Sequence, residues 1–161
     1  MKKEFKIFGI VFTAGFFVYP TLEQIFGFVM QVIILPVITP VIRIFNPAFV
    51  SHFPAGKSFV ANVAIGVMGG VALYLIGKVN EVFEKLSKIQ QYLIAYTIAV
   101  SIEWVSGIII NVLLGLDGWD YKWLPLSSPD GQINFFFSMI WFALMPFAFW
   151  LDDDVKKRYS V

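Results

Sequence analysis

The chain contains four apolar stretches, each about as long as a membrane is thick. They cover residues 6–22, 58–77, 92–115 and 133–151. At about 1.5 Å per helical residue, the last three are roughly 28 to 36 Å long and match a hydrocarbon core of about 30 Å. The first follows MKKEFK, and no small-residue cleavage site closes it. We therefore expect a retained first span rather than a signal peptide.

Composition narrows the class of protein. Hydrophobic residues make up 58% of the 161 residues and charged residues only 14%, against about 25% in soluble domains. This predicts an all-α, polytopic membrane helical bundle that forms a single membrane domain over residues 1–161. The net charge of +1 supplies no basic field for nucleic acid, so no such partner is expected. Without cysteine, and with His52 as the single histidine, we predict no metal site and no cofactor.

Residues 24–45 are the ambiguous part of the topology. They are apolar enough to span, but Pro36 and Pro40 interrupt helical hydrogen bonding. With four spans and both termini in the cytoplasm, nine Lys and Arg residues lie inside and three lie outside, namely Arg43, Lys57 and Lys122. A fifth span would divide them six and six, so the positive-inside rule favours four. We predict that residues 24–45 form a re-entrant hairpin or an interfacial helix, with a fifth span as the alternative.

Glu103 lies in the middle of the third span, where a carboxylate is disfavoured by roughly 2.5 to 3.5 kcal/mol. Gly107, Asn111 and Gly115 follow at four-residue intervals, so the four share one helix face. Such a polar stripe is typical of a close helix contact, or of a polar path or pocket for a cation or proton. The sequence leaves both interpretations open. Glu23, near the outer boundary, and Asn62, on the second span, are further candidates for the path.

The loop after the third span carries a second group of candidates. Trp119, Asp120 and Tyr121 follow the span where an aromatic belt is expected, and Gln132 opens the fourth span. Prolines and the Asp-Gly pair at 130–131 indicate a tightly folded outer loop. We treat these four residues as a candidate outer-loop motif.

These segments resemble a family of small integral membrane proteins, the ABC-transporter type IV or CmpB-like family. The matching pieces are GFFVYPTLE at 15–23, SFVANVAIGVMGGVALYLIGKVNE at 58–81, and the block from SIEWVSG to FWLDD at 101–153. In two places the chain departs from the family. Apolar residues 24–56 replace a short basic connection, and residues 127–130 stand where the family has Asn-Ile. The residues that map onto the recurring pattern are Glu23, Glu103, Asn111, Trp119, Asp120, Tyr121, Gly131 and Gln132.

The resemblance, together with the polar stripe, implies a permease-like or accessory transport subunit in the bacterial cytoplasmic membrane. We expect it to work with other membrane subunits or an ATPase subunit, or as a homo-oligomer in the lipid bilayer. Two alternatives come from other classes of protein. One is a structural or assembly protein whose polar residues only hold helices together. The other is an enzyme that uses Asp120 and Glu23 on lipid-linked substrates at the outer face, although the sequence gives no catalytic motif and favours a non-enzymatic role.

Overall fold

The computed structural model describes residues 2–45 and 57–159, and helices dominate both parts; His52 lies outside these residues. In chain order, the elements are α1 Lys2–Val29, a π-helical segment Met30–Ile34, α2 Leu35–Phe45, α3 Phe59–Val82, α4 Lys88–Gly107, a second π-helical segment Ile108–Leu113, and α5 Phe135–Arg158. The described residues form no strand, only an isolated bridge between Ser127 and Asn134. Four helices are long and apolar enough to cross a membrane: Lys3–Ile44, Phe59–Val82, Lys88–Leu113 and Phe135–Arg158. The predicted all-α helical bundle with four candidate spans is confirmed.

The segment 24–45 differs from the expected hairpin, because α1 continues through it without a reversal. Pro36 lacks an N–H, and its ring clashes with the carbonyl four residues earlier in a regular α-helix. The π-helical turn Met30–Ile34 lies at that point and widens the helix, with the Leu35 N–H bonded to the Met30 carbonyl. The turn thus accommodates Pro36, Pro40 lies inside α2, and the segment extends the first candidate span. Over 42 residues this helix is about 63 Å long, twice the hydrocarbon thickness.

The other helices extend past the bounds predicted from hydropathy at the end of the bundle that carries most of the charges. The third helix in chain order, α3, continues five residues past 77 to Val82, and α4 begins at Lys88 rather than at 92. A span predicted from hydropathy ends at the first charged residue, whereas a helix continues until its ends are capped. Ser87 and Gln90 form a capping box at the start of α4, and Asn134 caps α5.

Glycines bring α1 and α3 into close contact. A Cβ at Gly15 would lie 2.5 Å from the Gly69 carbonyl oxygen, and one at Gly69 would collide with Tyr19 Cβ. Gly66 and Gly70, the GxxxG pair of α3, face Phe16 and Phe12 of α1 in the same way. The GxxxG motif therefore marks a helix contact, which is its usual meaning in a membrane.

Ion pairs connect the helices at one end of the bundle, which we call the charged end. Lys78 of α3 donates to Glu4 of α1 at 2.9 Å and to Glu81 at 2.8 Å. Lys156 of α5 bridges Glu81 and the buried Asp152. The start of α1 and the end of α5 therefore lie at the same end, and the four helices run alternately up and down. Two of these ion pairs, Lys78–Glu4 and Lys156–Glu81, join different helices, and the other two lie within one helix.

Candidate functional site

The polar stripe of α4 faces the loop between α4 and α5. Glu103, Gly107 and Asn111 each contact residues of that loop, as their shared helix face predicts. Gly115 does not belong to the stripe, because the helix ends at Leu113 and Gly115 adopts a left-handed φ of 61°. This face of α4 therefore packs against the loop.

Glu103 is only 3% exposed, and protein donors reach both of its carboxylate oxygens. The Trp141 indole N–H donates to Oε2 at 2.9 Å, and the Tyr121 hydroxyl donates to Oε1 at a longer 3.4 Å. Aromatic rings back both donors: Trp141 stacks on Tyr19 at 5.2 Å and Tyr121 on Phe137 at 4.7 Å. The carboxylate is therefore enclosed by rings from α1, α5 and the loop.

Asn111 and Gln132 form the next part of the contact between α4 and the loop. Asn111 Nδ2 donates to Gln132 Oε1 at 2.7 Å, and Asn111 Oδ1 accepts from the Gly118 N–H at 2.6 Å. Gln132 lies against Gly107, where a Cβ would approach its Oε1 to 2.5 Å. The Trp119 indole donates to the Gln132 carbonyl at 3.1 Å. Both ends of the loop are thus fastened to one helix face.

The loop descends into the bundle rather than lying above it. Tyr121 and Asp130 reach Glu103 and Trp104, which lie ten and nine residues before Leu113, or about 14 to 15 Å below the end of the helix. The contact to Trp104 is a hydrogen bond of 2.7 Å from its indole to Asp130. Further up, Trp119 packs in a core cluster with Ile65, Met68 and Ile110. We call residues 117–134 the outer plug.

Short-range contacts shape the plug itself. Asp120 Oδ1 accepts the Lys122 N–H at 2.8 Å and lies where a Cβ on Gly131 would collide with it. Gly131 also has a φ of 73°, a conformation that favours glycine. The Tyr121 N–H donates to the Gly131 carbonyl at 2.8 Å, which joins the Trp-Asp-Tyr and Gly-Gln parts of the loop. The four residues of the candidate outer-loop motif therefore belong to one compact unit.

Glu23 and Asn62 meet at Lys57, just before the start of α3 and at the end of the bundle opposite the charged end. Lys57 forms an ion pair with Glu23, and its carbonyl accepts from Asn62 Nδ2 at 3.3 Å. The side chains of Glu23 and Lys57 are 21% and 16% exposed. The Glu23 carboxylate thus has a partner 34 residues away in the chain.

Three residues of the site were missed by sequence reasoning: Tyr19, Lys57 and Trp141. Trp141 lies 38 residues from Glu103 along the chain and looks like any other aromatic residue of an apolar span. No periodicity links residues on different helices. Sequence could have indicated only that a buried carboxylate requires donors and that indole and phenol groups were abundant.

The plug and the α4 face that it contacts can exclude water from the space between them. The Tyr121 phenol can donate a hydrogen bond there. Burial, followed by the nearby Glu103 charge, raises the pKa of Tyr121, so its hydroxyl keeps its proton at physiological pH. The hydrogen bond from Ser128 lowers the pKa of Asp130, which stays an acceptor for Trp104. Among residues 2–45 and 57–159, no cluster of three His, Cys, Asp or Glu side chains could hold a metal ion.

Fold and site together define a small bundle with four candidate membrane spans, ion-paired at one end and closed by its own loop at the other. Comparison with family models, curated proteins and solved structures gave no match.

Proposed function

We propose that the protein is an accessory subunit of a membrane transport assembly in a bacterial cytoplasmic membrane. The transport class rests on the resemblance to the CmpB-like family. The accessory role is supported by one observation above all: the Glu103 carboxylate is only 3% exposed, and each of its oxygens accepts a hydrogen bond from a protein side chain, Trp141 or Tyr121. A carboxylate that relays a cation or proton needs contact with water or with the mobile ion, and the burial of Glu103 among the described residues opposes that contact.

The other polar groups of the candidate path support the same role. Asn111 is bonded to Gln132 and Gly118, and Glu23 is paired with Lys57. The described helices do have a groove between them, but apolar residues line it. The polar residues of the spans thus hold the plug and the helices together, and a substrate path requires further subunits. An ATPase subunit, other membrane subunits or further copies of the chain are the proposed partners.

The enzyme alternative has less support. Asp120 is engaged by the Lys122 N–H within the plug and Glu23 by Lys57, so each carboxylate already has a protein partner. A pair of catalytic carboxylates requires both groups to face one substrate.

A flux measurement separates the accessory subunit from a permease. The purified protein alone, in sealed vesicles, should pass K⁺ and protons no faster than empty vesicles, and Glu103→Gln should behave identically. The substitution keeps one acceptor oxygen and the size of the side chain, so the variant isolates the charge. Flux by the unmodified protein that Glu103→Gln abolishes would place the carboxylate in a path and favour the permease.

Co-purification tests the transport class itself. After chemical cross-linking in native membranes, we expect an ATPase or a second membrane subunit of a transporter among the captured proteins. If neither is captured although the chain is recovered intact, the assembly-protein alternative replaces the transport proposal.

A further inference from the structure

An apolar groove of about 50 Å³ opens between α1 and α5, with residues of α3 between them. Gly15 and Tyr19 contribute from α1, Ala72 from α3, and Trp141 and Ala148 from α5. No charged side chain is among the described residues that line it. The α1 and α3 helices are in tight contact at their glycines, so the groove is the gap left where α5 meets that pair.

Along α5, the groove has the depth of one membrane leaflet. On α5 it extends from Trp141 to Leu151, ten residues or about 15 Å, which is half of a hydrocarbon core of about 30 Å. Asp152 and Lys156 of the charged end follow directly after Leu151. At the opposite end, the stacked rings of Tyr19 and Trp141 separate the groove from Glu103. On α1 the groove continues to Leu22, next to Glu23 at the opposite end, so it lies beside the hydrocarbon of the membrane without being confined to one leaflet.

We propose that this groove binds an acyl chain of a membrane phospholipid. Water is a poor occupant, because an apolar cavity offers it no hydrogen-bond partners and stays dry. A second helix is too wide, since a helix with its side chains measures about 10 to 12 Å across. Because the groove is open to its surroundings, a methylene chain can lie partly in it and gain dispersion contacts with the wall, and such a chain is already present beside the opening in a bilayer.

Filling the groove tests the proposal. Ala148→Leu places extra atoms in it, whereas Ala143→Leu adds the same atoms to an exposed position of the same helix and is the matched control. We would purify each protein in mild detergent and count retained phospholipids by native mass spectrometry. The unmodified protein and Ala143→Leu should retain a bound phospholipid. In Ala148→Leu, the fraction of protein with a bound phospholipid should fall at least about tenfold.

Three results would overturn the proposal: equal lipid retention in Ala148→Leu and Ala143→Leu, no retained phospholipid in the unmodified protein, or a dimer lost only in Ala148→Leu. The last would assign the groove to a second copy of the chain. Thermal unfolding checks that Ala148→Leu is folded. If it is not, the smaller Ala148→Val should still reduce retention relative to Ala143→Leu. The outcome is independent of whether the protein belongs to a transport assembly.

Discussion

At the scale of single residues, Glu103 illustrates how a carboxylate is kept deep in a bundle. Burial without partners is costly, and two donors offset that cost here: the indole of Trp141 and the hydroxyl of Tyr121. Removing an acceptor leaves its donors unsatisfied, which costs more than the hydrogen bond contributed. The size and polarity of the side chain therefore matter more to the fold than its charge.

We predict that Glu103→Leu lowers the free energy of unfolding by roughly 1 to 3 kcal/mol, since Trp141 and Tyr121 lose their acceptor. Glu103→Gln should cost less than about 1 kcal/mol, because its amide can accept from Trp141 and donate to Tyr121. Denaturation in mixed micelles measures both. An equal decrease in the free energy of unfolding in the two variants would mean that the charge of the carboxylate itself stabilises the site.

At the scale of elements, two devices set the helix arrangement. Glycines allow α1 and α3 to touch through their backbones, and the π-helical turn allows α1 to continue into α2 despite Pro36. Both are local departures from an ideal apolar helix. They have different consequences: the glycines set how α1 and α3 pack, whereas the π-helical turn sets the direction in which α1 continues into α2.

We predict that Gly15→Ala destabilises the bundle by about 1 to 3 kcal/mol, because the new Cβ meets the Gly69 carbonyl at 2.5 Å and backbone cannot step aside. Gly9→Ala, on the same helix with nothing within 4 Å, is the control and should be neutral or stabilising by up to about 1 kcal/mol. Thermal unfolding in detergent compares the two. A loss of the same size at both positions would mean that the close contact with Gly69 does not set the cost.

At the scale of the whole molecule, the two ends of the bundle are closed by different means. Ion pairs connect α1, α3 and α5 at the charged end, and the outer plug fills the space between helices at the other. The start of α1, the α3–α4 turn and the end of α5 share the charged end. On the positive-inside rule, we propose that this end faces the cytoplasm.

Single cysteines test this orientation, since the chain contains none of its own. In intact cells, a membrane-impermeant maleimide should label Lys122→Cys in the plug and leave Lys85→Cys in the α3–α4 turn unlabelled. Both positions are exposed, so access alone distinguishes them. Inverted vesicles should reverse the pattern. Labelling of Lys85→Cys from outside the cell would reverse the proposed orientation, and labelling of both from one side would contradict the up-and-down bundle.

The sequence by itself determined the class of fold, the four candidate spans and the shared face of Glu103, Gly107 and Asn111. These depend on hydropathy, span length and helical period, which are properties of residues near one another in the chain. Only the tertiary structure decided that this face packs against the plug, that Trp141 holds Glu103, that Lys57 pairs with Glu23, and that a π-helical turn lies at Pro36. The first three join residues on different elements, so packing between segments distant in sequence selects them and no local pattern records them. The last is a local choice between two ways of relieving the clash at Pro36.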